Sequence, residues 1–175
     1  MTVLEKKICM MGAPGVGKTS LVRRFVDSVF SEKYLSTIGV KIDKKSVAVE
    51  DTTLNLMLWD LQGETEQQRV RPEYLRGAAG FLLVIDATRR ETLDTALDLG
   101  RRAAEVVPGA ALMLVLNKTD LVMERLISDA DLAGLATAGW RIGLTSARSG
   151  EGVDLAFRQL AEQMVGSGAT AAEDA

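Results

Sequence analysis

Apolar and polar residues in the first third of the chain predict a strand, a loop, a helix and a hairpin. Residues 3–11 form an apolar run that predicts a buried strand, and residues 18–29 carry apolar side chains at helical spacing. Residues 41–50 and 54–59 alternate between apolar and polar side chains on either side of a short turn, which is typical of a β-hairpin. Asp60 is expected just past the end of this hairpin.

The remainder of the chain continues the alternation of strands and helices. Continuous apolar runs at residues 80–85 and 111–116 predict strands that are covered on both faces. Thr88 and Glu91 form a capping-box pattern ahead of an amphipathic segment. The pattern predicts helices at residues 92–107, 128–138 and 152–165, and a short strand at residues 140–144. In the last helix, the residues expected to face inward are Val153, Leu155, Ala156, Leu160 and Met164.

Between the first strand and the first helix, residues 12–19 read Gly-Ala-Pro-Gly-Val-Gly-Lys-Thr and match the phosphate-binding pattern G-x-x-x-x-G-K-[ST]. Glycine lets the backbone turn tightly enough to aim several N–H groups at a polyphosphate. Lys18 would reach the β and γ phosphates, and the Thr19 hydroxyl would bind Mg²⁺. A glycine-rich turn without a ligand is the alternative, and the flanking strand and helix make it the weaker one.

The alternation of elements, with this P-loop after the first strand, predicts an α/β fold of the P-loop NTPase type: a doubly wound, six-stranded sheet with about five helices. The sheet is expected to be mostly parallel, with one antiparallel strand. Ligands of such sheets bind beyond the carboxyl ends of the strands, where the P-loop, Asp60 and residues 117–120 and 145–147 are expected to meet. We expect one domain at residues 1–165 and a disordered tail at residues 166–175.

Charge is spread evenly along the chain. Of 175 residues, 26% are charged, and the net charge is −3. No stripe of Lys and Arg stands out, which argues against nucleic acid as a partner. Three pairs of adjacent arginines are interpreted as solvated helix faces: Arg23 with Arg24, Arg89 with Arg90, and Arg101 with Arg102.

Cysteine and histidine usage limits the chemistry that the chain can perform. Histidine is absent, so catalysis would depend on positioning, cations and backbone dipoles. A single cysteine excludes internal disulfides and fits a reducing compartment. Because Cys9 lies in the first apolar run, it is predicted to be a core residue and not a nucleophile.

The sequence shows no pattern of a membrane segment or a lipid anchor. Its longest apolar runs, residues 81–85 and 110–116, are too short to span a bilayer, and no secretory signal opens the chain. Thr2 follows Met1, so N-myristoylation is not expected, and residues 166–175 hold no cysteine for prenylation. We therefore expect a cytoplasmic monomer without a lipid anchor.

Asn117, Lys118 and Asp120 match the pattern N-K-x-D, and Asp60 with Gly63 matches D-x-x-G. With the P-loop, these motifs resemble those of the Ras-like small GTPases, over roughly residues 3–165. The carboxylate of N-K-x-D accepts from two adjacent guanine donors that adenine does not offer together, and an unpaired buried carboxylate costs about 1–3 kcal/mol or more. Residues 166–175 contain no cysteine, and in this respect the sequence resembles prokaryotic, anchorless members of the family.

This resemblance implies a site for GTP and GDP. Asn117 would bond the purine edge and Lys118 would lie over the base, while the Ala147 N–H would donate to the guanine carbonyl and Phe30 would pack against the ring. The implied nucleotide-binding residues are Ala13, Pro14, Gly15, Val16, Gly17, Lys18, Thr19, Ser20, Phe30, Tyr34, Thr37, Gly63, Asn117, Lys118, Asp120, Leu121, Ser146, Ala147 and Arg148.

The resemblance also implies a Mg²⁺ site and a switch. Thr19 and Asp60 would serve Mg²⁺ in both nucleotide states, and Thr37 would join only when a γ phosphate is present. The N–H of Gly63 would meet the γ phosphate, so that GTP orders the loop behind it and GDP releases it.

The sequence departs from the family around the γ phosphate. Glu64 stands where the family usually has a glutamine that orients the attacking water. A carboxylate cannot donate to the γ phosphate and is repelled by it, so intrinsic hydrolysis is expected to be slow. Gln62 offers an amide at a position where alanine is usual, and Pro14 replaces a glycine of the P-loop. The candidate catalytic residues are Gln62, Gly63, Glu64, Thr37 and Lys18.

The leading hypothesis is a GTP-dependent molecular switch whose slow hydrolysis is accelerated by a partner. A GTP-binding scaffold or regulatory subunit that barely hydrolyses GTP is the alternative, and the N-K-x-D motif disfavours a P-loop kinase or ATPase. By resemblance, a GTPase-activating protein, a nucleotide-exchange factor and an effector would bind the switch regions at residues 31–41 and 60–76. A membrane-trafficking role of the Rab type is implied by resemblance alone.

Overall fold

Six strands and five α-helices make up the part of the chain that the computed structural model describes, residues 2–173. The strands are β1 Thr2–Met11, β2 Val40–Val49, β3 Thr52–Leu61, β4 Ala78–Asp86, β5 Ala111–Asn117 and β6 Ile142–Leu144. The helices are α1 Lys18–Asp27, α2 Pro72–Leu75, α3 Glu91–Val106, α4 Asp129–Thr137 and α5 Val153–Glu173, with a 3₁₀ turn at Val122–Glu124.

All six strands belong to one sheet in the order β2-β3-β1-β4-β5-β6. Strands β2 and β3 pair antiparallel, and every other neighbouring pair is parallel. This confirms the predicted α/β fold. Asp60 pairs with Met10 inside the β3 ladder and not beyond it, and Asp86 pairs with Asn117 at the ends of β4 and β5. The carboxyl ends of the parallel strands therefore share one edge of the sheet.

The two faces of the sheet are covered by different helices. Ile8 and Met10 of β1 pack in the cluster that contains α1 and α5, whereas Cys9 and Met11 pack in the cluster that contains α3. Burial raises the pKa of the Cys9 thiol to about 12, so the thiol stays protonated at neutral pH. The prediction that Cys9 is a core residue is confirmed.

The capping box predicted at Thr88 is wrong. Helix α3 begins at Glu91 after Arg90, without a side-chain cap. The Thr88 hydroxyl donates to Asp86 Oδ1 at 2.7 Å, and Thr88 lies two residues before the N-cap position, Arg90. A capping box is present at α4, where Ser128 and Asp131 cap each other's backbone N–H groups.

Helix α5 differs from its prediction at two places. Leu155, expected to face inward, is 57% exposed, because it lies off the stripe of Val153, Ala156, Leu160 and Met164 that reaches the core. The helix also continues to Glu173, so residues 166–173 extend it where the sequence predicts a disordered tail; this stretch holds three alanines, the strongest helix former. Residues 174 and 175 lie outside the described residues. None of the helices described here has the length and hydropathy to cross a membrane.

Candidate functional site

A cavity of about 710 Å³ opens at the carboxyl edge of the sheet and gathers the polar segments that follow the strands. Most of the predicted nucleotide-binding residues line it: Pro14, Gly15, Gly17, Lys18, Thr19, Ser20, Phe30, Tyr34, Thr37, Gly63, Asn117, Lys118, Asp120, Leu121, Ala147 and Arg148. Ala13, Val16 and Ser146 are buried and do not line it. Five separate segments of the chain thus meet around one space.

The P-loop is shaped by a glycine that no other residue could replace. Gly17 has a φ of 105°, and a Cβ at this position would lie 2.2 Å from Nδ2 of Asn117. The same Nδ2 donates to the Val16 carbonyl at 3.0 Å. The asparagine of N-K-x-D is therefore packed directly on the P-loop, and a side chain at residue 17 would push the two apart.

Lys18 is buried in the P-loop, with 6% of its surface exposed. Its Nζ donates to the carbonyls of Gly12 at 3.1 Å and Ala13 at 2.9 Å. Burial lowers the pKa of Lys18 to about 8; the charge of Arg89 lowers it further and that of Asp60 opposes the change. A buried ammonium held only by neutral carbonyls is well suited to accept an anionic ligand.

Thr19, Thr37 and Asp60 form a cluster of oxygen atoms beside Lys18. The Thr19 hydroxyl lies 2.5 Å from Asp60 Oδ2 and 2.7 Å from the Thr37 hydroxyl. The other carboxylate oxygen, Asp60 Oδ1, is buried and has no hydrogen-bond partner among the described residues. Burial raises the pKa of the Asp60 carboxyl, against the hydrogen bonds from both threonines and the charge of Lys18.

This oxygen cluster fits a Mg²⁺ ion. Mg²⁺ takes oxygen ligands and retains water, so two hydroxyls and one carboxylate suffice beside a phosphate. The unpartnered Oδ1 of Asp60 is the buried polar atom that a cation or its water would satisfy. Among the described residues, no group of three or more His, Cys, Asp or Glu could hold a metal ion.

The N-K-x-D segment and the loop after β6 are joined by side-chain hydrogen bonds. Asn117 Oδ1 accepts from the Thr145 hydroxyl at 3.1 Å and from the Ala147 N–H at 3.2 Å. Asp120 Oδ1 accepts from the Ser146 hydroxyl at 2.8 Å. Asp120 and Ala147 both line the cavity, and these hydrogen bonds join the segments that carry them.

Comparisons with known proteins agree with this geometry. The model of the Ras family matches residues 7–166. The chain belongs to the Ras family. It is 33% identical over 161 residues to Ras-related protein Rab-13 of Canis lupus familiaris, covering 91% of this chain and 79% of the relative. It is 31% identical over 161 residues to Ras-related protein Rab-1 of Theileria parva, covering 90% of this chain and 73% of the relative.

The match confirms the Ras-like resemblance and the fold. Proteins of this family are small GTPases, which bind GTP and GDP with Mg²⁺ and interact with activating proteins, exchange factors and effectors. The chain is thus a small GTPase.

Asp86 is a residue of this Ras-family site that the sequence analysis missed. Its carboxylate is buried, and Oδ2 accepts from Lys118 Nζ at 2.8 Å and from Arg89 Nε at 3.0 Å. Lys118 Nζ also donates to the Gly15 carbonyl at 2.8 Å, and Arg89 Nη2 donates to the Pro14 carbonyl at 2.7 Å. Burial alone would raise the pKa of Asp86, but the hydrogen bonds from Lys118, Thr88 and Arg89 lower it. The sequence signal was available, since Asp86 ends a buried strand.

One arginine of each adjacent pair holds a distant segment of the chain and does not lie on a solvated face, which corrects the prediction. Arg24 donates to the Ala147 carbonyl, Arg89 to the Pro14 carbonyl and Arg102 to Glu64. Sequence spacing could not show this, because each of these contacts joins segments at least 38 residues apart. Arginine suits these positions because its five donors can hold carbonyls and carboxylates together.

Glu64 does not line the cavity of this GTPase. It is 9% exposed, its Oε2 is paired with Arg102 Nη2 of α3, and its Oε1 accepts from the Val70 N–H at 3.0 Å. Gln62 does line the cavity, and its Oε1 accepts from the Gly39 N–H at 3.0 Å. The Glu64 side chain is therefore directed at helix α3, and the Gln62 amide faces the cavity.

Gly63 packs against the P-loop proline. A Cβ on Gly63 would lie 2.6 Å from the Cα of Pro14, so this position admits glycine only. Both residues line the cavity. Pro14, which departs from the family pattern, therefore packs against the backbone of Gly63, the residue whose N–H would meet a γ phosphate.

Proposed function

We propose that this protein is a molecular switch that binds GTP and GDP with Mg²⁺, hydrolyses GTP slowly by itself and depends on a partner for fast hydrolysis. The observation that carries the proposal is the one cavity that unites the P-loop, Thr37, Gly63 and the base-reading segment at residues 117–120. Each segment supplies a different part of a nucleotide site: phosphate, metal, γ phosphate and base.

At the phosphate end, Lys18 would exchange its two carbonyl acceptors for phosphate oxygens. The N-terminal end of α1 faces the same space, and its free N–H groups favour negative charge. Thr19 and Asp60 would hold Mg²⁺ in both states and Thr37 in the GTP state only. When bound, Mg²⁺ neutralises charge on the β and γ phosphates.

At the base end, Asp120 would accept from the two guanine donors while the Ala147 N–H would exchange its bond to Asn117 Oδ1 for one to the 6-carbonyl. The Ser146 hydroxyl occupies one lone pair of Asp120 Oδ1, which leaves Oδ2 and the remaining lone pairs for the base. Asn117 already spends its Nδ2 on the P-loop and its Oδ1 on Thr145. In this proposal its main role is to join the two ends of the site.

Slow hydrolysis follows from the position of Glu64. The carboxylate is satisfied by Arg102 and by the Val70 N–H, so it offers nothing to a water beside the γ phosphate. Gln62 and Gln68 are glutamines that line the cavity, and they hydrogen-bond each other. We assign water positioning to Gln62, since it adjoins Gly63 and contacts the switch segment at Gly39.

Partners would bind the exposed side of the two switch segments, residues 31–41 and 60–76. Tyr34, Leu35 and Ile38 are large apolar side chains that are more than half exposed, with Ile38 at 91%. Such side chains at the mouth of a site are typical of protein contact surfaces. The activating protein, exchange factor and effector of this proposal are assigned to this surface, and the cytoplasm stays the predicted location.

The first test is to identify the nucleotide that copurifies with the protein and to compare the affinities for GDP and ADP by calorimetry. GDP is expected to bind at least about tenfold more tightly, because adenine does not offer the Asp120 carboxylate the two adjacent donors of guanine. Equal affinities for the two nucleotides would refute the proposal.

The second candidate is a GTP-binding scaffold that does not hydrolyse GTP, and the engagement of Glu64 by Arg102 favours it. Single-turnover phosphate release from preloaded GTP separates the two functions. Slow release that Gln62→Ala abolishes supports the switch. Complete retention of GTP over many hours, with and without cell extract, supports the scaffold.

A further inference from the structure

Arg24 of α1 is bound to the loop that follows β6. Its Nε donates to the Ala147 carbonyl at 2.8 Å, and its Nη2 donates to the Arg148 carbonyl. A longer bond joins Nη1 to the Ser28 carbonyl at 3.4 Å, just past the end of α1. All three acceptors belong to the main chain, so this guanidinium orients backbone.

Gly150 lies in this turn, beside the stem of Arg24. Its φ is 87°, its N–H donates to the Ser146 carbonyl at 2.8 Å, and a Cβ at this position would lie 3.4 Å from Cδ of Arg24. The arginine stem therefore packs against the same turn whose carbonyls the guanidinium holds. The guanidinium and the aliphatic stem of Arg24 together fix the turn against α1.

This turn carries the N–H that the proposed function assigns to guanine recognition. Ala147 is 3% exposed and lines the cavity, and without a nucleotide its N–H donates to Asn117 Oδ1 at 3.2 Å. Arg24 holds the carbonyl of the same residue. The N–H and the carbonyl of Ala147 lie in neighbouring peptide planes, and Arg24 holds the carbonyls of both Ala147 and Arg148, so it restrains the turn that carries this N–H.

We propose that Arg24 is a positioning residue for guanine recognition: it holds the Ala147 backbone so that its N–H meets the 6-carbonyl of the base. This inference rests on the proposed function of the cavity. Arg24 itself does not line the cavity, so it acts through Ala147. A planar guanidinium can donate to two neighbouring carbonyls at once, which the single nitrogen of lysine does less well.

Arg23 provides a matched control. It is the neighbour of Arg24 on the same helix, it is likewise half-buried, and it lines the cavity. Among the described residues no hydrogen bond joins it to the loop at residues 145–150. Removal of Arg23 therefore tests the loss of a cation near the nucleotide without loss of the loop contact.

The experiment compares GDP with 6-thioguanosine diphosphate at pH 7, by displacement of a fluorescent nucleotide from the full-length protein. The analogue keeps both donors that face Asp120 and replaces the 6-carbonyl oxygen by sulfur, a weaker acceptor. Arg24→Ala is expected to weaken GDP binding at least about tenfold, as for the loss of a charge-assisted hydrogen bond. The analogue is expected to lose much less, so the preference for GDP shrinks.

Arg23→Ala is expected to keep the wild-type preference for GDP over the analogue. If Arg24→Ala weakens both ligands equally, or neither, Arg24 has no specific link to the 6-carbonyl and the inference is overturned. Arg24→Lys keeps the charge and the stem, so it serves if Arg24→Ala does not fold; it should lose part of the preference, and a full wild-type preference would overturn the inference.

Failure of the proposed function gives a different result. A wild-type protein that binds ADP as well as GDP removes the basis of both proposals. A wild-type protein that selects GDP, with a GDP-to-analogue ratio that is unchanged in Arg24→Ala, overturns the inference about Arg24 alone.

Discussion

Arg102 of α3 binds the carboxylate of Glu64, the residue that follows Gly63, across 38 residues of sequence. Arg102 also donates to Asp98 Oδ2 one helical turn away at 3.0 Å, so its guanidinium is held in place from both sides. The pair fixes the first part of the second switch segment to a helix and leaves the cavity to Gln62. Glu64, the residue that most departs from the family pattern, therefore holds residues 60–76 against helix α3.

We predict that Gln62→Ala lowers intrinsic GTP hydrolysis about tenfold or more, whereas Glu64→Gln changes it by less than about threefold. Removal of one preorganised donor near a transition state typically costs about 10²-fold, and only Gln62 faces the cavity. The measurement is single-turnover phosphate release without partners. An increase of about 100-fold in Glu64→Gln would show instead that the new amide leaves α3 and reaches the water.

We predict that Asp120→Asn changes base specificity from guanine to xanthine. The amide puts donors where the carboxylate accepted, and xanthine offers a second carbonyl there. Affinity for GDP should fall about 10- to 100-fold and affinity for xanthosine diphosphate should rise. Calorimetry with both nucleotides measures the change, and Asp154→Asn, an exposed aspartate outside the cavity, is the matched control. Unaltered selectivity in Asp120→Asn would contradict the assignment of the base.

We predict that Thr19→Ala and Thr37→Ala separate the two nucleotide states. Both hydroxyls lie in the Asp60 cluster, but only Thr19 is expected to serve Mg²⁺ with GDP. Thr19→Ala should release GDP fast even in Mg²⁺, at the rate that EDTA gives the wild type. Thr37→Ala should retain GDP and lose the protease protection that GTP gives to residues 31–41. A Thr37→Ala protein with wild-type protection by GTP would speak against this role.

We predict that nucleotide-free Lys18→Met is more stable than the wild type at pH 7 and that this difference shrinks at higher pH. Burial lowers the pKa of Lys18 from 10.5 to about 8, so between these values the unfolded chain binds a proton that the folded chain does not. Wild-type stability from this group therefore rises with pH, by about 3 kcal/mol in all.

Urea unfolding of the nucleotide-free protein at pH 7 and pH 9.5 measures this difference. Lys44→Met, at an exposed lysine, is the control and should show no such pH dependence. A Lys18→Met variant that is less stable than the wild type at both pH values would mean that the two carbonyl contacts of Lys18 outweigh its burial.

The sequence predicts the strands and the P-loop well because both depend on local pattern. Continuous apolar runs mark β4 and β5, and the spacing of glycines around Lys18 is tied to the backbone that they form. The ends of elements are harder to predict. Thr88 was expected to cap helix α3, but its hydroxyl donates to the Asp86 carboxylate and the helix begins at Glu91. The Asp86 side chain is placed by the end of β4, so its position depends on the folded sheet.

The arginines show the limit of sequence reasoning at the site. Arg24 and Arg23 are the same residue type at adjacent positions, yet only Arg24 reaches the loop after β6. Helix rotation and the packing of α1 against the sheet decide which of the two does so. In the same way, the sequence shows that Glu64 replaces a glutamine, but its partner on α3 becomes visible only when the chain is folded.

The bridge at Asp86 also bears on how a bound nucleotide leaves. Lys118 of the proposed base site and Arg89 of α3's preceding turn hold the carbonyls of Gly15 and Pro14, respectively, and share the buried carboxylate of Asp86. A disturbance at either end then loosens the other, so that departure of the nucleotide becomes a concerted event without a long-lived intermediate held by its phosphates alone. Stopped-flow traces from a base-labelled and a phosphate-labelled nucleotide should therefore coincide in the wild type and separate in Asp86→Ala.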